Sequence, residues 1–290
     1  MLRGQGRTET VELTSQRELT LLQYNRGSKG LRSKKRYHIL VTNDDGITAR
    51  GLQALRDALA DLGEIMVVAP ATEMSAVGHA ITLSDPLRVW SFEKNGSFFG
   101  YAVKGTPADC VKVAYWALLN GKRKWDLVVS GINHGANTGI DIIYSGTVSA
   151  ATEGAILGVP SFAISLATFE KKDFAYAAKF ARQLAEEILH KGLPRGVFLN
   201  VNVPPLPEEE IRGVRVTKQS RAVYEERYEI RKDPRNRTYY WLAGEKVGIP
   251  PDETVDDYAV KAGYVSVTPI HFDLTNYAFL PELEKWHLTG

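Results

Sequence analysis

The run Tyr37-His38-Ile39-Leu40-Val41-Thr42, followed without a break by Asn43-Asp44-Asp45-Gly46, limits the possible folds more than any other part of the chain. Aliphatic and β-branched residues favour a strand. Two acids and a glycine close it in a turn, and Thr48 to Leu59 then repeats apolar residues at helical spacing. A strand handing over to a helix through an acidic turn is how an open α/β sheet exposes a ligand site at the C-terminal edge of its strands. Two adjacent carboxylates there suit Mg²⁺ or Mn²⁺ better than zinc, because no Cys or His stands at ligand spacing. The same residues also make an ordinary turn, in which Asp bonds its own backbone and Gly supplies a positive φ. The metal reading therefore needs other loops to bring oxygen ligands to the same edge.

The 290 residues can hold one large α/β domain, or a core with an appendage. No apolar run approaches the roughly 20 residues that a membrane-spanning helix needs, so no membrane partner is expected. The first residues contain no apolar signal-peptide core with a small-residue cleavage site, and a cytoplasmic location is expected. A single cysteine, Cys110, agrees with a reducing compartment and reads as a small buried hydrophobe rather than a nucleophile. The net charge of +2 conceals an asymmetry: residues 1–35 carry eight Lys or Arg against three Glu, +5, which leaves −3 for residues 36–290. The body therefore lacks the basic field that marks a binder of nucleic-acid polymers. Residues 1–35 read as a flexible basic extension with a short helix from Glu18 to Gln23.

Along the body, Glu64 to Pro70 reads as a second strand, joined to the first by a right-handed parallel crossover. Its following loop, Ala71 to His79, brings the Ser75 hydroxyl towards the Asp44-Asp45 edge. Alternating residues on either side of Asn95-Gly96 make an inserted β-hairpin. Thr106 and Pro107 start a helix running to about Asn120. Trp125 to Ile132 is a buried strand that ends in the loop Asn133 to Thr147. There Ser145-Gly146-Thr147 opens a helix whose free N–H groups and hydroxyls offer a site for a phosphate; plain N-capping by Ser145 or Thr147 is the other reading. Ser161 to Leu166 and Val197 to Val203 are further core strands, with a long helix, Phe174 to His190, between them.

Beyond Pro204-Pro205, the runs Val214 to Thr217, Val223 to Ile230 and Thr238 to Trp241 alternate and are rich in Tyr and Arg. They read as a hairpin projecting from the core and suited to a subunit interface. A short helix from Val255 to Val260, a strand from Tyr264 to Ile270 and a terminal helix complete the chain. His271 and Asp273 are either an acid/base pair or a structural histidine with its partner. The division expected is 1–35 as extension, 36–205 as α/β core, and 206–290 as an oligomerisation region that returns a strand to the core.

VTNDDG, SAVGHAITL, GTPADCV, SGINHGANTGIDIIYSGTVSAATEG and SVTPIHFDLT, in this order, resemble the stationary-phase survival protein family, SurE, over about Tyr37 to Tyr277. The resemblance implies a three-layer α/β/α, Rossmann-like fold. It also implies a phosphatase acting on nucleoside 5′-monophosphates, and in some members on 3′-monophosphates and polyphosphate, with one divalent cation per subunit. A homodimer or homotetramer with an exchanged C-terminal element is implied as well. By motif, Asp44, Asp45, Ser75 and Asn133 correspond to the metal ligands. Asn137, Ser145, Gly146 and Thr147 fall where the family binds phosphate, and either Asp44 or Asp45 is the residue for proton transfer. The family usually places a basic residue where this chain has Met74.

Two competing readings use the same residues. A haloacid-dehalogenase-type phosphatase needs its second acid two positions after the first, whereas Asp45 follows Asp44 directly. A nucleotide-binding stress-response module would keep the fold without turnover.

Overall fold

A computed structural model describes residues 36–119, 124–170 and 173–288. The basic extension, its expected helix at Glu18 to Gln23, and Asn120 lie outside the described residues. β1 (Tyr37–Thr42), α1 (Arg50–Leu59) and β2 (Gly63–Pro70) form the opening crossover. The inserted hairpin is β3 (Arg88–Lys94) and β4 (Ser97–Lys104), turning through Asn95 and Gly96, both at positive φ. α2 (Pro107–Val113) follows and widens into a π-helical turn at Ala114–Leu118. β5 (Leu127–His134), α3 (Asp141–Tyr144), α4 (Gly146–Ile156), β6 (Ser161–Leu166), α5 (Ala175–Lys191) and β7 (Val197–Val203) complete the core run. The C-terminal part holds β8 (Val214–Val216), β9 (Val223–Lys232), β10 (Thr238–Val247), α6 (Asp256–Lys261), β11 (Val265–His271) and α7 (Leu280–Leu283).

Nine strands form one sheet in the order β3-β4-β2-β1-β5-β6-β7-β11-β8. The six from β4 to β7 are mutually parallel, and β3 and β11 run antiparallel to their neighbours β4 and β7. Alternation in β1 sorts side chains between two faces. Ile39 and Val41 join Leu52, Leu55 and Leu59 of α1 and the alanine stripe of α5. Leu40 packs instead with Cys110 and Val111 of α2 and Ala150 of α4. Helices thus cover both faces, giving the three-layer α/β/α architecture, with Cys110 a fully buried thiol. Chain order reverses about β1, which lies between β2 and β5. The crevice at such a switch point opens at the C-terminal ends of the strands.

Three sequence expectations need correction. Val214–Val216 does not belong to the projecting ribbon, because it pairs parallel to β11 at the edge of the main sheet. The ribbon is β9 with β10 alone, closed at Asp233 to Arg237, and β10 runs on to Val247. The expected terminal helix is confined, among the described residues, to the four residues of α7; the Asp273 and Asn276 side chains cap turns before it and Pro281 fixes its start. His271 pairs with Val197, the first residue of β7. It therefore lies at the opposite edge of the sheet from Asp44 and is no part of an acid/base pair there. Asp273 instead is held by the Thr275 hydroxyl, the Tyr277 hydroxyl and Thr275 N–H, the last at 2.9 Å, and these bonds hold its carboxyl down at about 2.

Ribbon residues Tyr228, Ile230, Tyr240, Trp241 and Leu242 are all exposed. An isolated two-stranded ribbon is marginal in water, so such a surface points to further contacts. Among the described residues no helix is long and apolar enough to cross a membrane.

Candidate active site

Three strand-end loops, those after β1, β2 and β5, meet at the crevice. Asn43 is buried and ties its amide to Gly46 O at 3.1 Å, which fixes the turn that presents Asp44 and Asp45. Gly46 has φ +95, and a Cβ there would press on the backbone of Thr72, so this turn requires glycine. The Asp44 carbonyl accepts from Met74 N–H at 2.8 Å, pinning the Ser75 loop beside it. The Asp44 carboxylate receives Thr147 N–H at 3.0 Å on Oδ2 and the Thr147 hydroxyl on Oδ1. Asp45 accepts from His134 N–H, which places it beside Asn133. Asn133 spends its Nδ2 on Gly135 O at 2.8 Å. Among the described residues its side-chain oxygen accepts no hydrogen bond and can face a ligand.

Both acids are pushed towards the protonated form. Burial raises Asp44, against the bonds from Thr147. Burial, and then the charge of Asp44, raises Asp45 to about 6. The charge of Glu73 adds to both. Neither carboxylate has a lysine or arginine ion-pair partner among the described residues. A buried acid beside a part-buried one, without a counter-charge, fits a divalent cation. Among the described residues no group of three or more His, Cys, Asp or Glu is arranged to hold a metal. The donor set would therefore be two carboxylates completed by a hydroxyl and an amide oxygen. Ser75 Oγ donates to Glu73 Oε1 at 2.6 Å and keeps its lone pairs.

The start of α4 is less open than the sequence suggests. Ser145 Oγ accepts from Val148 N–H at 3.1 Å as a plain N-cap, and Thr147 N–H goes to Asp44. Of the first three N–H groups, that of Gly146 remains for an anion. Asn137 is buried in a network that the sequence reading missed. Its N–H reaches Asn202 Oδ1 at 2.8 Å and its Nδ2 reaches Ser165 Oγ at 2.8 Å. Its carbonyl accepts from Asn200 and Asn202 at 2.7 and 3.1 Å. The available signal was two asparagines on one face of the otherwise apolar β7, since buried amides must find partners.

Glu153 of α4 steadies the Ser75 loop from below. It takes Lys112 Nζ at 2.9 Å and His79 Nε2 at 3.0 Å, with its own side chain 3 % exposed. Burial alone would raise its carboxyl, but the His79 and Lys112 bonds prevail and hold it below the ordinary value. A lowered folded value gives stability that is complete at neutral pH and lost as pH falls below about 4.5, the ordinary glutamate value, towards the lowered one. Glu153→Gln is therefore expected to cost about 3 kcal/mol at pH 7, where a buried pair is broken, and less at pH 3. Urea unfolding at both pH values reads this, and equal losses would sink the assignment.

The model of the family described as Survival protein SurE matches residues 39–226. The chain belongs to the SurE family. A protein named 5′-nucleotidase SurE from Syntrophobacter fumaroxidans is 51% identical over 250 residues, 86% of this chain and 99% of its own. One of the same name from Chlorobaculum tepidum is 52% identical over 251 residues, 87% of this chain and 95% of its own. The crystal structure of the SurE protein from Aquifex aeolicus superposes with a TM-score of 0.75 at 45% identity, covering 85% of this chain and 98% of that one. The SurE match takes in all three strand-end loops, and the described ribbon continues beyond it.

Proposed function

We propose that this chain is a divalent-metal-dependent phosphatase that hydrolyses nucleoside 5′-monophosphates to nucleoside and phosphate. One observation carries the reading: the start of α4, which could hold a phosphate, is docked onto the carboxylate of Asp44, with Asp45 beside it. An anion could settle next to two carboxylates only with a cation between them. The names of the relatives supply the substrate class.

In this reading Asp44, Asp45, Ser75 and Asn133 would hold Mg²⁺ or Mn²⁺, which when bound supplies charge stabilisation to the phosphoryl group and acidifies water. Gly146 N–H, with the Ser145 hydroxyl beside it, holds a phosphoryl oxygen, while Asn137 fixes the loop. Water attacks phosphorus, the ester P–O bond breaks, and the 5′ oxygen leaves carrying a proton. Both oxygens of Asp44 are engaged by Thr147, so proton transfer falls to Asp45. The ribbon's exposed aromatics are assigned to a second copy of the chain in a homodimer or homotetramer, and a monomeric mass at micromolar concentration in sedimentation equilibrium would refute that.

The test of the activity is phosphate release from 5′- and 3′-monophosphates and polyphosphate with Mn²⁺, Mg²⁺ or EDTA. Release with metal and none with EDTA is expected. Tight nucleotide binding without release under any condition would favour a binding module instead.

A further inference from the structure

Lys246, at the inner end of β10, is a lysine with its side chain only 13 % exposed. Its ammonium, with three N–H donors, lies within hydrogen-bond distance of four oxygens: Asp141 Oδ2 at 2.7 Å, Asp257 Oδ1 at 3.0 Å, Thr138 O at 3.0 Å and Thr138 Oγ1 at 3.2 Å. Tyr224 completes the cage, its hydroxyl 3.3 Å from Asp141 Oδ2 and its ring 5.6 Å from the ammonium. Every oxygen contacted belongs either to the loop between β5 and α4 or to α6. Thr138 Oγ1 also donates to Asp257 Oδ1 at 2.5 Å, and Gly139 N–H donates to Asp256 Oδ2 at 2.9 Å.

The cage leads directly to the proposed phosphate site. Thr138 O receives Asp141 N–H at 3.1 Å as well as the ammonium, and Asp141 O receives Ser145 N–H at 3.0 Å. The backbone from Thr138 to Ser145 is thus one hydrogen-bonded unit closed at its base by a cation from the ribbon. Without that cation the carboxylates of Asp141 and Asp257 would face each other and the Thr138 carbonyl in a half-buried space. Such a cluster repels itself and opens.

We propose that Lys246 is a positioning residue: a tethered cation by which the ribbon sets the Thr138 to Ser145 loop, and through it the phosphate-binding start of α4. This rests on the phosphatase reading for its functional half. An ordinary structural lysine would anchor the ribbon with no specific hold on the loop. The distinguishing property is that a small free N–H-donating cation, which sodium is not, should replace the tethered ammonium for the loop, although it cannot re-anchor the ribbon.

The experiment uses the full chain as wild type, Lys246→Ala and Lys246→Met, each in sodium, ammonium or methylammonium chloride at equal ionic strength. Amide hydrogen exchange at residues 138–147 and phosphate release from a nucleoside 5′-monophosphate are read together. Both variants are expected to exchange roughly tenfold faster over 138–147 in sodium, with β1 and β5 unchanged. Their KM for the nucleotide should rise about tenfold with a smaller change in kcat, as for lost ground-state positioning. Ammonium should restore Lys246→Ala substantially and leave Lys246→Met unrestored, because the methionine stem still fills the cage. Unchanged exchange over 138–147 in both variants, or the same loss in all three salts for Lys246→Ala, would overturn the proposal. Wild type that releases no phosphate would remove the phosphatase reading alone, since exchange reports the loop without turnover.

Discussion

Asp45→Asn is expected to lower kcat/KM for phosphate release by on the order of 10³-fold while making the metal-free protein more stable. The two effects have one cause. Burial and the neighbouring Asp44 raise the Asp45 carboxyl to about 6, from an ordinary 3.8. A raised folded value means that the folded chain binds the extra proton between about pH 4 and 6, so stability falls as pH rises through that window. At pH 7 the wild type bears the whole penalty of an ionised Asp45, at most about 3 kcal/mol, and the uncharged amide bears none. The charge that weakens the fold is the one that would attract the cation. Thermal unfolding in EDTA should therefore place the variant above wild type at pH 7 and level with it at pH 4. Added Mn²⁺ should raise the wild type and barely move the variant. A variant less stable than wild type in EDTA at pH 7 would show that Asp45 is held by contacts rather than strained by charge, and the metal assignment would lose its physical basis.

Those parts of the site that are local in sequence were legible in it. The acidic turn follows from a strand, two acids and a positive-φ glycine in consecutive positions, and the Ser145 cap from its place before an Ala-rich helix. What joins them was not legible. Thr147 reaches Asp44 across 103 residues, and Asn137 meets Asn200 and Asn202 across 63 and 65. Side-chain periodicity says which face a residue occupies and nothing about which loop arrives there. Strand direction was equally silent. His271 ends a strand much as Asn43 follows one, but β11 runs antiparallel to β7 and delivers it to the far edge. Lys246 lay in a run of ribbon residues whose charged side chains are mostly solvated. Only the folded chain separates it from them. The SurE motifs supplied in sequence what local physics could not, because a motif set carries the outcome of long-range packing along with the residues.

Gly146→Ala is the sharpest test of that long-range packing, because two effects of opposite sign compete at one atom. Gly146 is the first residue of α4, where alanine is intrinsically the better helix former by about 1 kcal/mol. A Cβ there would lie 2.8 Å from Asp44 Cβ, 3.1 Å from Asp44 Oδ2 and 3.1 Å from Pro107 Cγ. None of these can yield cheaply. Asp44 is buried at the end of a central strand with its carboxylate fixed by Thr147, and Pro107 is rigid in the first turn of α2. Overpacking of this kind costs about 1–3 kcal/mol, so it outweighs the helix gain and net destabilisation of about 1 kcal/mol is expected. Activity should fall much further, by on the order of 10²-fold in kcat/KM. The helix start must retreat from Asp44, and displacements near 1 Å at a reacting centre have that effect. Urea unfolding and phosphate-release kinetics on the same preparation read both quantities. A variant that gains stability and keeps its kcat/KM within threefold would mean that α4 docks on Asp44 less closely than this packing requires, and that the carboxylate pair and the phosphate-binding turn are not one site.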